Sequence, residues 1–96
     1  MAALPAKVER LVESVSSAPG ECAGIRRAIL AGAAPDELRP LVDKVDRAAH
    51  RVTDGDLDRL RGRGLSETAI LEIVLAASLE SGLRRMRAGL DAIERA

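Results

Sequence analysis

In this 96-residue sequence the thiol and the imidazole, the side chains most suited to act as nucleophile and general base near neutral pH, each occur once. The single cysteine is Cys22 and the single histidine is His50. Glu37 and His50 stand near the two ends of one predicted helix and can serve as acid and base, with the glutamate orienting the imidazole. The alternatives are an exposed glutamate, favoured in a first turn by the helix dipole, and a surface histidine.

Cys22 and Glu72 each have more than one interpretation. Cys22 can be the sole nucleophile of a peroxidase that uses an external thiol, but its spacing with Ile25 and Ile29 favours a small apolar side chain in the core. Glu72 lies in the most apolar part of the sequence, where an unpaired carboxylate is costly to bury. It therefore lines a polar pocket, pairs with an arginine across a subunit contact, or marks the wet edge of its helix.

The composition excludes several kinds of site. One cysteine cannot form an internal disulfide, a Cys-x-x-Cys pair or, with one histidine, a four-ligand zinc site. The chain has no Phe, Trp or Tyr, which removes stacking of nucleobases on aromatic rings. Fifteen basic residues balance fifteen acidic ones, so the arginine clusters at residues 59–63 and 84–87 are predicted to be ion-paired faces. We expect no cofactor, no metal and no nucleic-acid partner.

Charged residues interrupt the apolar runs near the N-terminus, beginning at Lys7, Glu9 and Arg10. This pattern lacks the apolar region of a signal peptide, and no other stretch is long and apolar enough for a membrane span. We therefore expect a cytoplasmic protein without a membrane partner.

Hydrophobic residues recur with helical spacing along the whole chain, and no strand pattern appears. Residues 1–96 are therefore predicted to form one all-α domain of four or five helices. Helices are expected over residues 5–17, in a shorter segment from Cys22 to Ile29, over 36–52, after Thr53, and over 66–95. Thr53 and Asp56 have the spacing of a capping box, and Ser66 can cap the last helix.

The last predicted helix dominates the chain. Its length is about 45 Å at the usual helical rise, whereas a compact domain of this size has a diameter of about 32 Å. Apolar residues surround its first half, and the second half narrows to a seam formed by Leu79, Leu83, Met86, Leu90 and Ile93. Three or four short helices cannot cover so much apolar surface. The sequence therefore predicts a homo-oligomer.

The segment from Gly64 to Leu90 begins Gly-Leu-Ser-Glu and continues as an alanine-rich helix. It resembles the second half of the alkylhydroperoxidase D-like, or carboxymuconolactone decarboxylase, family. The pair Glu37-Leu38 is similar to the Glu-Leu pair that opens the preceding helix in that family. The resemblance covers about residues 36–96 and leaves residues 1–35 outside it. It implies a helical fold that assembles as a trimer or hexamer.

The redox motif of that family is Cys-x-x-Cys-x-x-x-His, preceded by a glutamate. Counting back from the Gly-Leu-Ser start places these motif positions at Ala49, Val52 and Asp56, and the glutamate at Glu37. A thiol peroxidase of this type needs one thiolate to attack the peroxide and a second to resolve the sulfenate. Ala49 and Val52 cannot perform that reaction.

The resemblance thus implies the family's architecture without its redox activity. Our hypothesis from the sequence is a redox-inactive, oligomeric binding or accessory module whose partner is an unidentified protein or small molecule. The alternative is a thiol-independent enzyme of the carboxymuconolactone decarboxylase type, in which Glu37 and His50 are the catalytic acid and base.

Overall fold

The computed structural model describes residues 3–96, and this part of the chain contains helices and no strand. The helices are α1 (Ala6–Ser17), α2 (Ala23–Leu30), α3 (Arg39–Ala48), α4 (Asp54–Gly62) and α5 (Glu67–Arg95). The predicted all-α fold of four or five helices with one long C-terminal helix is confirmed, and the number of α-helices is five. The predicted domain of residues 1–96 also includes residues 1 and 2, which lie outside the described range.

The single helix predicted over residues 36–52 is divided into three parts. A 3-10 turn at Asp36–Leu38 precedes α3, and a second at Ala49–Arg51 follows it. Pro40 stands in the first turn of α3, where its missing N–H leaves no hydrogen bond unmade. At the other end, Ala48 leaves the helical region with φ −155° and ψ 60°. The sequence pattern showed the apolar face of this segment but not the two 3-10 turns or the backbone break at Ala48.

The predicted helix caps are confirmed. Thr53 Oγ1 accepts a hydrogen bond from the Asp56 amide at 3.3 Å, and the Asp56 carboxylate accepts one from the Thr53 amide at 2.9 Å. A hydrogen bond from Lys44, helped by the Thr53 amide, lowers the pKa of Asp56 to about 2. Ser66 Oγ accepts a hydrogen bond from the Ala69 amide at 3.1 Å and caps α5. Asp56 therefore has a structural role as part of a capping box.

The hydrophobic core forms around the first half of α5. Helices α2, α3 and α4 pack against this half, and α1 packs on α2. Ile73 is fully buried and Ile29 of α2 is 1% exposed. The other members of the core cluster are Cys22, Leu38, Leu41, Val45, Leu60, Ala69, Ile70, Ala76 and Ala77. The other helices of the chain thus bury one side of α5.

The opposite side of α5 stays exposed in a single chain. The molecule measures 47 × 29 × 19 Å, and α5, about 43 Å long at the usual rise per residue, extends along most of the longest dimension. We use the name α5 stripe for one line of uncharged residues on this side: Leu71, Leu75, Ser78, Gly82, Met86, Gly89 and Ile93. The exposed fractions of its large side chains are 57% for Leu71, 58% for Leu75, 41% for Met86 and 71% for Ile93.

The structure divides the seam that the sequence predicts for the second half of α5. Leu83 is buried, at 5% exposure, whereas Met86 and Ile93 face outward. Leu79 and Leu90 are half-buried between these two sides. The α5 stripe also includes Leu71 and Leu75 from the first half of the helix. The exposed apolar surface is therefore longer than the predicted seam.

Candidate site at Cys22, Arg26 and Glu72

A buried ion pair joins α2 to α5. Arg26 Nη1 donates a hydrogen bond to Glu72 Oε1 at 2.6 Å, and the two side chains are only 7% and 14% exposed. The two residues are 46 positions apart in the sequence. Breaking such a pair leaves a charge in a poorly solvated place, so each side chain requires the other. The arginine partner of Glu72 thus belongs to the same chain.

Cys22 is the third member of this cluster. Its backbone amide donates to Glu72 Oε2 at 3.3 Å, and its thiol lies 3.4 Å from the same oxygen and 3.5 Å from the Ala69 carbonyl. Burial, together with the hydrogen bond to the Glu72 carboxylate, raises the pKa of the Cys22 thiol to about 11. The thiolate is the nucleophilic form of cysteine. At neutral pH Cys22 is therefore a protonated core side chain, in agreement with its apolar spacing.

We expect Cys22 to resist alkylation in the folded protein. At pH 8, iodoacetamide is predicted to label the native chain at least about 100-fold more slowly than the urea-unfolded chain, because the thiolate is scarce and the sulfur is buried. Raising the pH toward the pKa of about 11 increases the native rate. Mass spectrometry of timed samples measures both rates. Equal labelling of native and unfolded chains would contradict the structure.

Gly20 covers one side of the ion pair. A Cβ atom at this position would overlap Glu72 Oε1 and lie 2.9 Å from Arg26 Nη1. The positive-φ glycines of the described chain are Gly32 and Gly64, so Gly20 is required for space and not for an unusual backbone conformation. The segment between α1 and α2 thus closes directly over the carboxylate.

An apolar groove of about 480 Å³ lies beside the cluster, between the end of α1 and the first half of α5. Its lining surface is almost entirely apolar. The residues that line it are Ser14, Val15, Ala18, Arg26, Glu72, Leu75, Ala76 and Leu79. The ion pair therefore forms part of the wall of an open, apolar depression.

Arg26 has unused hydrogen-bonding capacity in this wall. Within residues 3–96, its Nε and Nη2 atoms are buried and have no hydrogen-bond acceptor. Only Nη1 is bonded, to Glu72. Buried donors in native proteins nearly always have a partner. Arg26 thus has one ion-paired nitrogen and two nitrogens that the protein covers without offering an acceptor.

Glu37 and His50, the acid and base predicted from the sequence, do not meet in a cavity. Glu37 is exposed in the first 3-10 turn, 3.8 Å from Arg63 Nη1, and it borders two small grooves whose linings are more apolar than polar. His50 is exposed in the second 3-10 turn and lines neither of these grooves. Their joint role in catalysis stays a prediction that the geometry does not strengthen.

In each of the two arginine clusters, at residues 59–63 and 84–87, the structure shows an arginine that is ion-paired with carboxylates. Arg61 bonds to Asp58 and to Glu67, both at 2.5 Å. Arg84 bonds to Glu80 at 2.6 Å and to Asp46 at 2.8 Å. The carboxylates beside these arginines make both clusters mixed-charge faces, as the sequence indicated.

The sequence patterns around Cys22 and Glu72 do not by themselves point to Arg26. A signal for Arg26 was present, because this basic residue lies four positions after Cys22 and three before Ile29, on the apolar face of α2. A charged residue on such a face needs a buried partner, and Glu72 on the apolar part of α5 has the matching requirement. Arg26 and Glu72, two opposite charges on apolar helix faces, together predict the ion pair, although neither residue does so alone.

Comparison with known proteins adds no relative. No protein-family model matches the sequence, and searches of curated proteins and of solved structures find no match. In residues 3–96, no helix is long and apolar enough to cross a membrane. The same range holds no group of three or more histidine, cysteine or carboxylate side chains placed to bind a metal ion.

Proposed function

We propose that this chain is a redox-inactive, oligomeric binding module with the architecture of the alkylhydroperoxidase D-like group. The observation that carries the proposal is the α5 stripe, an uncharged line of large apolar and small residues exposed along the longest helix. Continuous apolar surface of this kind is typical of a protein–protein contact. The contact we assign to it is with a second copy of the chain.

The pattern of large and small residues supports a second copy as the partner. If two α5 helices pair antiparallel about a point between Ser78 and Leu79, Leu75 of each copy faces Gly82 of the other. A glycine leaves the room that a leucine side chain needs, and small residues let helix backbones approach closely. Because both copies contribute the same surface, the contact is isologous and closes on itself. Three such dimers, joined by another surface, make a hexamer, which is one of the two assemblies, trimer or hexamer, that the family resemblance implies.

Several features support the redox-inactive part of the proposal. Ala49 and Val52 stand where the family has its cysteine pair. The only thiol is Cys22, which is buried and has its pKa raised to about 11. A peroxidase that uses this thiol with an external reductant needs an accessible thiolate. We therefore assign the module a binding role.

Replacing Gly82 with leucine tests the contact. A Cβ at Gly82 meets no atom within 4 Å in a single chain, and leucine is the better helix former by about 0.8 kcal/mol. The variant is therefore expected to fold at least as well as the native chain while the added side chain blocks the partner helix. We expect association to weaken at least tenfold, measured by size-exclusion chromatography with light scattering over a range of concentrations.

Gly24→Leu is the matched control, because Gly24 also has open space around its Cβ position but lies on α2. It is expected to leave the oligomer unchanged. The native chain should have a mass that is a multiple of 10.2 kDa, and the multiple separates dimer, trimer and hexamer. A native chain that stays at 10.2 kDa at high concentration would overturn the proposal.

A further inference from the structure

We propose that the apolar groove between α1 and α5 is part of the contact between two copies of the chain, and that Met86 of the second copy enters it. The inference rests on the proposed function, because it extends to the groove the contact that we assign to the α5 stripe. It also gives a role to α1, which lies outside the family resemblance.

The groove and the α5 stripe are parts of one surface. Leu75 belongs to the stripe and also lines the groove. On the other wall, Leu11 lies four and seven positions before Val15 and Ala18, which line the groove, so the three residues share one face of α1. Leu11 is 56% exposed. It therefore continues the α1 wall beyond the end of the groove.

The large apolar side chains that residues 3–96 leave exposed all lie on this surface. They are Leu11, Leu71, Leu75, Met86 and Ile93. Single exposed apolar residues scattered over a protein need no explanation, whereas a contiguous group is typical of a binding surface. The uncovered apolar side chains thus define one surface, formed by α1 and α5 together.

The size of a stable contact also requires α1. Stable protein–protein contacts cover about 800 Å² on each partner. The α5 stripe is one line along a helix, and its serine and two glycines add little area. Helix α1 is available for the contact, because the single chain buries none of its residues. The groove and the α1 wall widen the line into a surface that a second helix can cover.

The chemistry of the groove favours an uncharged helix face as its occupant. Its lining is almost entirely apolar. The two charged residues in the lining, Arg26 and Glu72, are bonded to each other at 2.6 Å and are 7% and 14% exposed, so they offer little to a polar partner. The α5 stripe is an uncharged face of the required kind, and every copy of the chain carries one. A second copy therefore satisfies the groove without any other molecule.

Met86 lies on the flank of the α5 stripe that faces α1. It follows Leu79, a residue that lines the groove, by seven positions, which places both on one side of the helix. In the isologous pair, the twofold axis is perpendicular to both α5 helices and brings the same flank of each copy together. Met86 of the second copy is therefore on the side where the first copy has its groove.

The register of the pair and the direction of the side chain bring Met86 into the groove. Leu75 lies opposite Gly82 in the proposed pair, and four residues further along each helix Leu71 lies opposite Met86. Helical side chains lean toward the N-terminus of their own helix. In an antiparallel partner Met86 therefore leans from Leu71 toward Leu75, which lines the groove. Its unbranched thioether adapts to an irregular apolar space.

A double-mutant cycle tests whether Met86 of one copy meets the groove of the other. Ala18→Leu adds volume to the groove, and Met86→Ala removes the side chain that enters it. Each change alone is expected to weaken association at least tenfold, measured by sedimentation equilibrium. In the double variant the leucine fills the space that the methionine leaves, so association should be at least tenfold tighter than the two single effects combined. Because Met86 does not line the groove of its own chain, such coupling acts across the contact.

Leu11→Gln tests the α1 wall. The side chain is 56% exposed, so the variant should fold as the native chain does while association weakens at least threefold. Glu13→Gln is the matched control, because Glu13 is an exposed residue of the same helix that does not line this groove. It is expected to leave association unchanged. Circular dichroism identifies variants that fail to fold, and Leu11→Gln keeps the test decisive if Ala18→Leu is one of them.

The outcomes separate this inference from the proposed function. If the native chain associates and Gly82→Leu weakens it, while the cycle is additive or Leu11→Gln has no effect, the α5 contact is supported and the inference is overturned. That result would assign the groove to another occupant. A native chain that stays monomeric contradicts both proposals.

Discussion

Replacing Glu72 with alanine is expected to destabilise the folded chain by about 3 to 5 kcal/mol. The change leaves the Arg26 side chain, which is 7% exposed, without the carboxylate partner that it has among residues 3–96, and an uncompensated buried charge has a penalty of this size. It also removes the acceptor for the Cys22 amide. Urea unfolding followed by far-ultraviolet circular dichroism measures the effect, and it suits a chain that has no tryptophan or tyrosine.

The double variant Arg26→Met/Glu72→Leu is the control for this prediction. It removes both charges and puts apolar side chains of similar length in their places, so its stability should lie within about 2 kcal/mol of the native chain. The large loss is thus assigned to the unpaired charge and not to the missing side-chain volume. If Glu72→Ala loses less than about 1 kcal/mol, the pair is not buried as the structure describes.

Replacing Gly20 with alanine is expected to destabilise the chain by about 2 kcal/mol. A methyl group here overlaps Oε1 of Glu72, so the carboxylate must leave its position against Arg26 or the backbone must move. Such overpacking has a typical penalty of about 1 to 3 kcal/mol. The measurement is again the midpoint and slope of urea unfolding.

Gly24→Ala is the matched control, because the Cβ position at Gly24 meets no atom within 4 Å. This residue lies inside α2, where alanine should gain about 0.5 to 1 kcal/mol over glycine. The two glycine variants are therefore predicted to change stability in opposite directions. A loss at Gly24 equal to that at Gly20 would mean that crowding against Glu72 is not the cause.

The two predictions are coupled through the Glu72 carboxylate. Introduced into the Arg26→Met/Glu72→Leu background, Gly20→Ala should have a different effect from the one it has alone, because the oxygen that it displaces is absent. If the effect of Gly20→Ala is the same in both backgrounds, the methyl group acts through the backbone of residues 18–22. If the changes in the free energy of unfolding are not additive, Gly20, Arg26 and Glu72 form a single packed unit.

Local features of the sequence were sufficient to predict the helices and their caps. The recurrence of apolar residues every three or four positions reveals one face of each helix. Thr53 with Asp56, and Ser66, act on backbone amides three positions away, so their spacing in the sequence is also their spacing in space. The two 3-10 turns around α3 were missed because a break such as that at Ala48 depends on how the following segment reaches the cap of α4.

The sequence by itself determined that the chain is helical and that no cysteine pair is present. It also determined that the last helix is longer than the diameter of a compact domain of this size. Only the tertiary structure decided which side of α5 is covered and which charges meet. Arg26 and Glu72 are 46 positions apart, and a contact at that separation follows from the packing of α2 on α5 and not from any local pattern. The same packing exposes the α5 stripe, because side chains all around a helix can be apolar while neighbouring helices cover only part of its circumference.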